Sequence, residues 1–150
     1  MKRNENLVPL SRDHHFGLLC SWKIREGIKK KISYERIKNY INYYWKENLK
    51  RHFEIEDIVL PETENNSLQV QMEREHVDIR RLIAKINQSQ DVRLLGNFAD
   101  ALRSHIRFEE RLYFPHLEEY LSDEKMHEIG SRLDQIHQKE EDCYQDEFWK

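Results

Sequence analysis

The chain has 150 residues, 35% of them charged, with only 4 Gly and 3 Pro. That length and economy predict one domain, residues 1–150, made of long helices and short connections. Lysine and arginine total 25 against 28 acidic residues, for a net charge of −3; the signs are interleaved without a basic stripe, which argues against nucleic acid as a partner. Cys20 and Cys143 stand apart with no framework spacing, and no long apolar run opens the chain, so a soluble, cytoplasmic protein with reduced thiols and no membrane span is expected.

Pro9-Leu10-Ser11 offers a helix start with Ser11 as N-cap, and Leu18, Leu19, Trp22 and Ile28 mark an apolar stripe to about Lys31. Ser33 caps a second helix whose stripe is Ile37, Ile41, Tyr44 or Trp45, Asn48 or Leu49, His52, Glu56 and Val59, stopped by Pro61. After a polar connection, a third helix from about Leu68 to Ile86 presents Met72, His76, Ile79, Ile83 and Ile86 on one face. The fourth presents Leu95, Phe98, Leu102, His105, Glu109 and Leu112 or Tyr113, and Pro115 predicts a kink or restart near Phe114. Ser122 begins a last amphipathic segment with Met126, Ile129, Leu133, Ile136 and Cys143 or Tyr144 on its stripe. The pattern predicts an all-α fold: an up-down-up-down four-helix bundle over residues 9–120 and a C-terminal helical extension over 121–150.

Two stretches repeat one motif, His52-Phe-Glu-Ile-Glu56 and His105-Ile-Arg-Phe-Glu109. Residues four apart on a helix share a face, so each imidazole and carboxylate point the same way. With 8 His and 28 acidic residues, chance supplies about 1.5 such pairs, and His137 with Glu141 is a third. Placement separates them, because His52, Glu56, His105 and Glu109 fall where Leu or Phe is expected. His76 lies on the core face of the third helix, and the first helix offers His14 and His15. Spacing to Leu18, Leu19 and Trp22 slightly favours His15; the acidic-His pattern that Asp13-His14 shares with Glu75-His76 favours His14.

A lone core histidine is more often hydrogen-bonded than ligating. Four imidazoles and two carboxylates in one layer, however, are costly unless compensated. A metal centre is the natural compensation; ion pairs with Arg51, Arg80, Arg103 or Arg107 are the competitor. The set contains no thiolate, which argues against a structural zinc-thiolate site, and mixed imidazole and carboxylate suits iron, with Mn or Zn as substitutes. Six ligands fit two metals, each with two imidazoles, bridged by Glu56 and Glu109 and leaving room for an oxo or hydroxo bridge and an open position.

With these residues in place, the chain resembles the hemerythrin-like, HHE cation-binding domains over about Pro9 to Tyr120. The resemblance rests on Asp13-His14-His15, His52-Phe-Glu-Ile-Glu56, Glu75-His76, His105-Ile-Arg-Phe-Glu109-Glu-Arg and Phe114-Pro115. It implies a non-haem di-iron centre with His52, His76 and His105 as terminal ligands, Glu56 and Glu109 as bridges, and O2, NO or peroxide as small-molecule partner. One departure stands out. Oxygen-carrying members place a second histidine one turn after the first on the third helix, where this chain has Arg80. The six-ligand pattern is more similar to the bacterial iron-centre repair proteins and to the eukaryotic iron-sensing domain.

Three functions follow as expectations. The first is a di-iron protein that binds or senses O2, NO or iron. The second is a turnover enzyme, an iron-centre repair protein or iron oxidase, for which Glu73-x-x-His76 and Glu124-x-x-His127 have a ferritin-like spacing. The third is a metal-free helical interaction module. His116, His127 and His137 read as surface residues or as neighbours of the ligands, and the oligomeric state is left open, a homodimer included.

Overall fold

The computed structural model describes residues 2–150, which contain helices and no strand. The first helix, α1 (Val8–Lys29), begins four residues earlier than its sequence signals suggest, with Pro9 in its first turn and Leu7, not Ser11, at the N-cap. Ser11 is therefore inside the helix, and its hydroxyl donates to Glu110 at 2.6 Å instead of capping. The helix ends in a left-handed residue, Lys31 at φ 57°, where Ile32 N–H reaches back to the Gly27 carbonyl. Ser33 then caps α2 (Tyr34–Tyr44) as expected.

A π turn, Trp45–Leu49, joins α2 to α3 (Lys50–Val59), and the Lys50 N–H donates to the Trp45 carbonyl five residues back. This extra residue explains why the sequence stripe wavers between Tyr44 and Trp45 and between Asn48 and Leu49. The third rod is α4 (Ser67–Ile86). The fourth is α5 (Val92–Phe108), capped by Asp91, followed by a second π turn at Glu109–Tyr113 and by α6 (Phe114–Tyr120). Pro115 thus sits in the first turn of α6, where its missing N–H costs little, and the rod continues past it. These four rods form the up-down-up-down bundle.

Against α3 lies α7 (Asp123–Ile136), capped by Ser122. It buries Met126, Ile129 and Leu133 against Leu10, Ile55, Val59 and Phe114. The predicted stripe does not continue to Cys143 or Tyr144, because the helix ends at Ile136 and His137 is already extended. Residues 137–150 form a non-helical strap back along the bundle. Lys23 and Tyr40 hold Asp142 at 2.8 and 2.6 Å, and Phe148 and Trp149 bury their rings against Tyr40. Among the described residues no helix is long and apolar enough to cross a membrane.

The face that α1 turns inward is not the predicted one. Leu18 and Trp22 are 40% and 45% exposed, while Leu10, Asp13, His14, Gly17, Cys20, Ser21, Ile24 and Gly27 are buried. The inner face is built of small and polar residues, so α1 can lie close to α5: a Cβ at Gly17 would come within 2.5 Å of Ile106 Cδ1. On α5 the inward residues Leu95, Phe98, Ala99, Leu102 and Ile106 supply apolar packing, each large side chain stabilising the fold by about 1.5–3 kcal/mol. His105 and Glu109 continue that face.

Candidate metal centre

Each bundle rod delivers at least one imidazole to a common layer: His14 from α1, His52 from α3, His76 from α4 and His105 from α5. Glu56 and Glu109 lie between them with no exposed surface. On α3 the four-residue spacing brings His52 Nε2 to 3.3 Å from Glu56 Oε1. From the end of α5 into the second π turn the same spacing brings His105 Nε2 to 3.4 Å from Glu109 Oε1. His76 Nε2 reaches Glu56 Oε1 at 3.1 Å and His14 Nε2 reaches Glu109 Oε1 at 2.9 Å. Two overlapping groups result: His14, His52, Glu56 and Glu109 in one, and Glu56, His76, His105 and Glu109 in the other. Within each group, one ligand atom per residue lies within 4.8 Å of the rest.

The outward nitrogens share one arrangement. Nδ1 of His14 meets Glu110 at 2.7 Å, that of His52 meets Asp13 at 2.8 Å, that of His76 meets Asp57 at 3.0 Å and that of His105 meets Glu75 at 2.7 Å. Every imidazole therefore donates its Nδ1–H to an outer carboxylate, which orients the ring and presents Nε2 to the layer. A carboxylate behind a histidine is how proteins orient and strengthen histidine ligands for a cation. Inside the layer, polar atoms are left over. His52 Nε2, His105 Nε2, Glu56 Oε2, Glu109 Oε2 and the Tyr113 hydroxyl are buried without a hydrogen-bond partner. Orphaned buried polar groups are rare and costly, and a cation in the layer would satisfy the nitrogens and carboxylate oxygens together. The donor set fits imidazole- and carboxylate-preferring metals such as iron, manganese or zinc.

Electrostatics agree with the geometry. Burial works against the imidazolium of His105, but the Glu109 carboxylate overcomes it and raises its pKa from 6.5 to about 10. Burial likewise opposes the charge on His52, and Glu56 and Asp13 lift it well above the usual value. His14 and His76 are raised against burial by Glu109 with Glu110, and by Asp57 with Glu56. Glu109, despite burial, is held well below the ordinary carboxylate range by His105 and His14. A cation in the layer would compete with the protons that these imidazoles hold.

Of the seven residues singled out from the sequence, six come together: His14, His52, Glu56, His76, His105 and Glu109. His15 does not. It is exposed, edge-on to Phe16, because the inward face of α1 is set by Leu10, His14 and Gly17 and not by the Leu18–Trp22 stripe. Arg80 lies beside the site with its guanidinium over the rings of Trp45 and Phe53, 3.8 Å from Asp57, so it adds no donor to the layer. Glu73, Glu124 and His127 are exposed, which removes the ferritin-like spacing from the core, and His116 bonds Thr63 outside the layer. Sequence reading assigned no role to Asp57, Glu75 or Glu110; their only signal is an acidic residue on the flank of a neighbouring helix.

No curated protein and no solved structure matches the chain in a search of either kind. The family model of the hemerythrin HHE cation binding domain does match, over residues 15–117, a span that contains His52, Glu56, His76, His105 and Glu109. With the bundle and the convergence of these side chains already established, the match makes the chain a member of the hemerythrin HHE cation-binding domain family.

Proposed function

We propose that this protein holds two iron ions between His14, His52, His76, His105 and the bridging carboxylates Glu56 and Glu109, and binds a small ligand such as O2 or NO there. The observation that carries this reading is the set of leftover atoms, two imidazole nitrogens and one oxygen of each carboxylate, all buried and all in one layer. Two ions explain why the two four-residue groups share both carboxylates. Bound iron would supply redox change and an open coordination position; the protein's part is to fix the donors and keep water scarce.

Ligand size follows from the walls. Beside His14, His52 and His105, a cavity of ≈ 10 Å³ is bordered by Gly17, Leu102 and Ile106. A water needs roughly 10–15 Å³, so this wall excludes anything much larger than one water, and a diatomic ligand enters on this side only as Leu102 and Ile106 give way. Arg80 points away, leaving six donors rather than seven, which favours sensing or iron handling over reversible oxygen carriage.

Protein purified without a histidine tag and loaded anaerobically with ferrous iron should retain two irons per chain. On exposure to air it should develop charge-transfer absorption in the near-ultraviolet and visible. Retention of no iron after desalting, with no such absorption, would overturn the proposal.

A further inference from the structure

The four outer carboxylates are not equivalent. Glu110, Asp57 and Glu75, behind His14, His76 and His105, have side chains 31%, 35% and 26% exposed. Asp13, behind His52, is 5% exposed. It is also the only one of the four held by a second imidazole: His137 Nε2 lies 3.0 and 2.9 Å from its two oxygens. Glu140 stands next to it, 7% exposed. One of its oxygens accepts the Tyr44 hydroxyl at 3.1 Å, and the other lies 3.9 Å from His52 Nδ1.

His137 and Glu140 belong to the strap of residues 137–150, outside the span matched by the family model, as is Asp13. The strap is moored independently of the metal layer, by Lys23 and Tyr40 on Asp142, by Arg36 on Asp146, and by the buried Phe148 and Trp149. Its position is therefore fixed by contacts more remote from the layer, and it in turn fixes Asp13. An N–H from His137 pins the carboxylate that pins the His52 ring, while Glu140 fills the space behind it. The other three have neighbours too, Ser11 and Arg3 on Glu110, Arg80 beside Asp57 and Gln71 on Glu75, but they stay partly open to water, whereas Asp13 is buried and held by an imidazole from a separate segment of the chain.

We infer that the C-terminal strap is a positioning element for the cation centre, acting through His137 on Asp13 and through Asp13 on His52. The inference rests on the reading of His52 as a metal donor. It makes the His52 edge the one whose alignment is set by the C-terminal strap. His137 touches no metal itself; it orients the residue that orients a ligand.

The test compares His137→Met, which keeps bulk but has no N–H donor, with His137→Gln, which restores one, in the full chain. Two quantities are read: the imidazole 15N resonances of the metal-free protein, and the rate at which a chelator removes Co2+ from the loaded protein. In His137→Met the His52 resonances should shift while those of His76 stay, and metal release should quicken by up to about 10-fold, short of the roughly 10–100-fold effect of losing a ligand's outer partner outright. His137→Gln should return both towards wild type. If wild-type protein retains no metal, the di-iron reading fails and the His52 resonances alone still decide the inference. Metal retained, with both quantities unchanged in His137→Met, would overturn the inference alone, as would a His137→Gln protein indistinguishable from His137→Met.

Discussion

The core built by Ile24, Ile37, Tyr40, Phe98 and Leu102 and the layer of four imidazoles and two carboxylates lie one turn apart along α5, and they are stabilised by different rules. In the apolar core each side chain contributes through area removed from water, so losses are local and graded. In the polar layer each group was taken out of water at a cost, and its neighbours offset that cost only while all are present. A defect in the core leaves a cavity. A defect in the layer leaves an uncompensated charge.

Glu109 should expose the difference most strongly, since its Oε1 lies 2.9, 3.4 and 4.0 Å from His14, His105 and His52. Glu109→Ala should abolish retention of two metal ions and destabilise the metal-free protein by about 3–5 kcal/mol, the effect of stranding a buried charge. Leu102→Ala, one turn away and fully buried, should cost about 2–5 kcal/mol yet leave metal stoichiometry at the wild-type value. Urea unfolding and elemental analysis of the two variants check both halves. Loss of metal in Leu102→Ala, or its retention in Glu109→Ala, would erase the distinction.

Acidity should separate the two states of the layer. For His105, raised from 6.5 to about 10 in the metal-free fold, the stabilising contribution is fully present below about pH 6.5 and is lost as pH climbs towards 10. Glu109, held below its usual range, loses its contribution only as pH falls through that lowered value, so it leaves the neutral region flat. Metal-free protein should therefore melt at lower temperature as pH rises from 6.5 to 9. Metal-loaded protein should move the other way relative to it, because a cation competes with those protons and gains as they leave. Melting curves of both forms across that range test the sign; parallel slopes would mean that protons and metal do not share the layer.

Much of this was legible in the sequence, unevenly and for physical reasons. The His-x-x-x-Glu pairs on α3 and α5 stood out because the helical period puts them among large apolar residues that really are core. His76 followed for the same reason. On α1 the signal misled, since Leu18 and Trp22 look more like a core stripe than the buried set of Gly17, Cys20, Ser21 and Gly27, whose value is smallness and not hydrophobicity. That shift of face is why the apolar spacing leaned slightly to His15, while the acidic-His pattern pointed to the inward His14. The π turns showed only as doubled candidates in the stripe. Asp13, Asp57, Glu75 and Glu110 were illegible as a set, because what unites them is contact across helices. The strap was hidden too: His137 and Glu141 imitate the ligand motif, whereas the side chains that turn inward are His137 and Glu140.

Gly17 stands where the two interiors touch, and it allows the mildest test of their separateness. A Cβ there would meet Ile106 Cδ1 at 2.5 Å and the Tyr44 hydroxyl at 3.7 Å. The near atom is the free end of a flexible side chain, so Ile106 can rotate away, and the cost should be about 1 kcal/mol, the low end for overpacking. No metal donor lies among the three atoms nearest the added methyl, so Gly17→Ala should retain as much metal as the wild type does. Ile106, however, borders the ≈ 10 Å³ cavity beside His14, His52 and His105, and its displaced methyl, together with the new one, removes the little room there is. Binding of azide or NO to the iron-loaded variant, followed by visible absorption, should slow while metal content and most of the stability remain. An unchanged binding rate at unchanged metal content would mean that the ligand reaches the centre by another wall, leaving the apolar core with no say in what the polar layer binds.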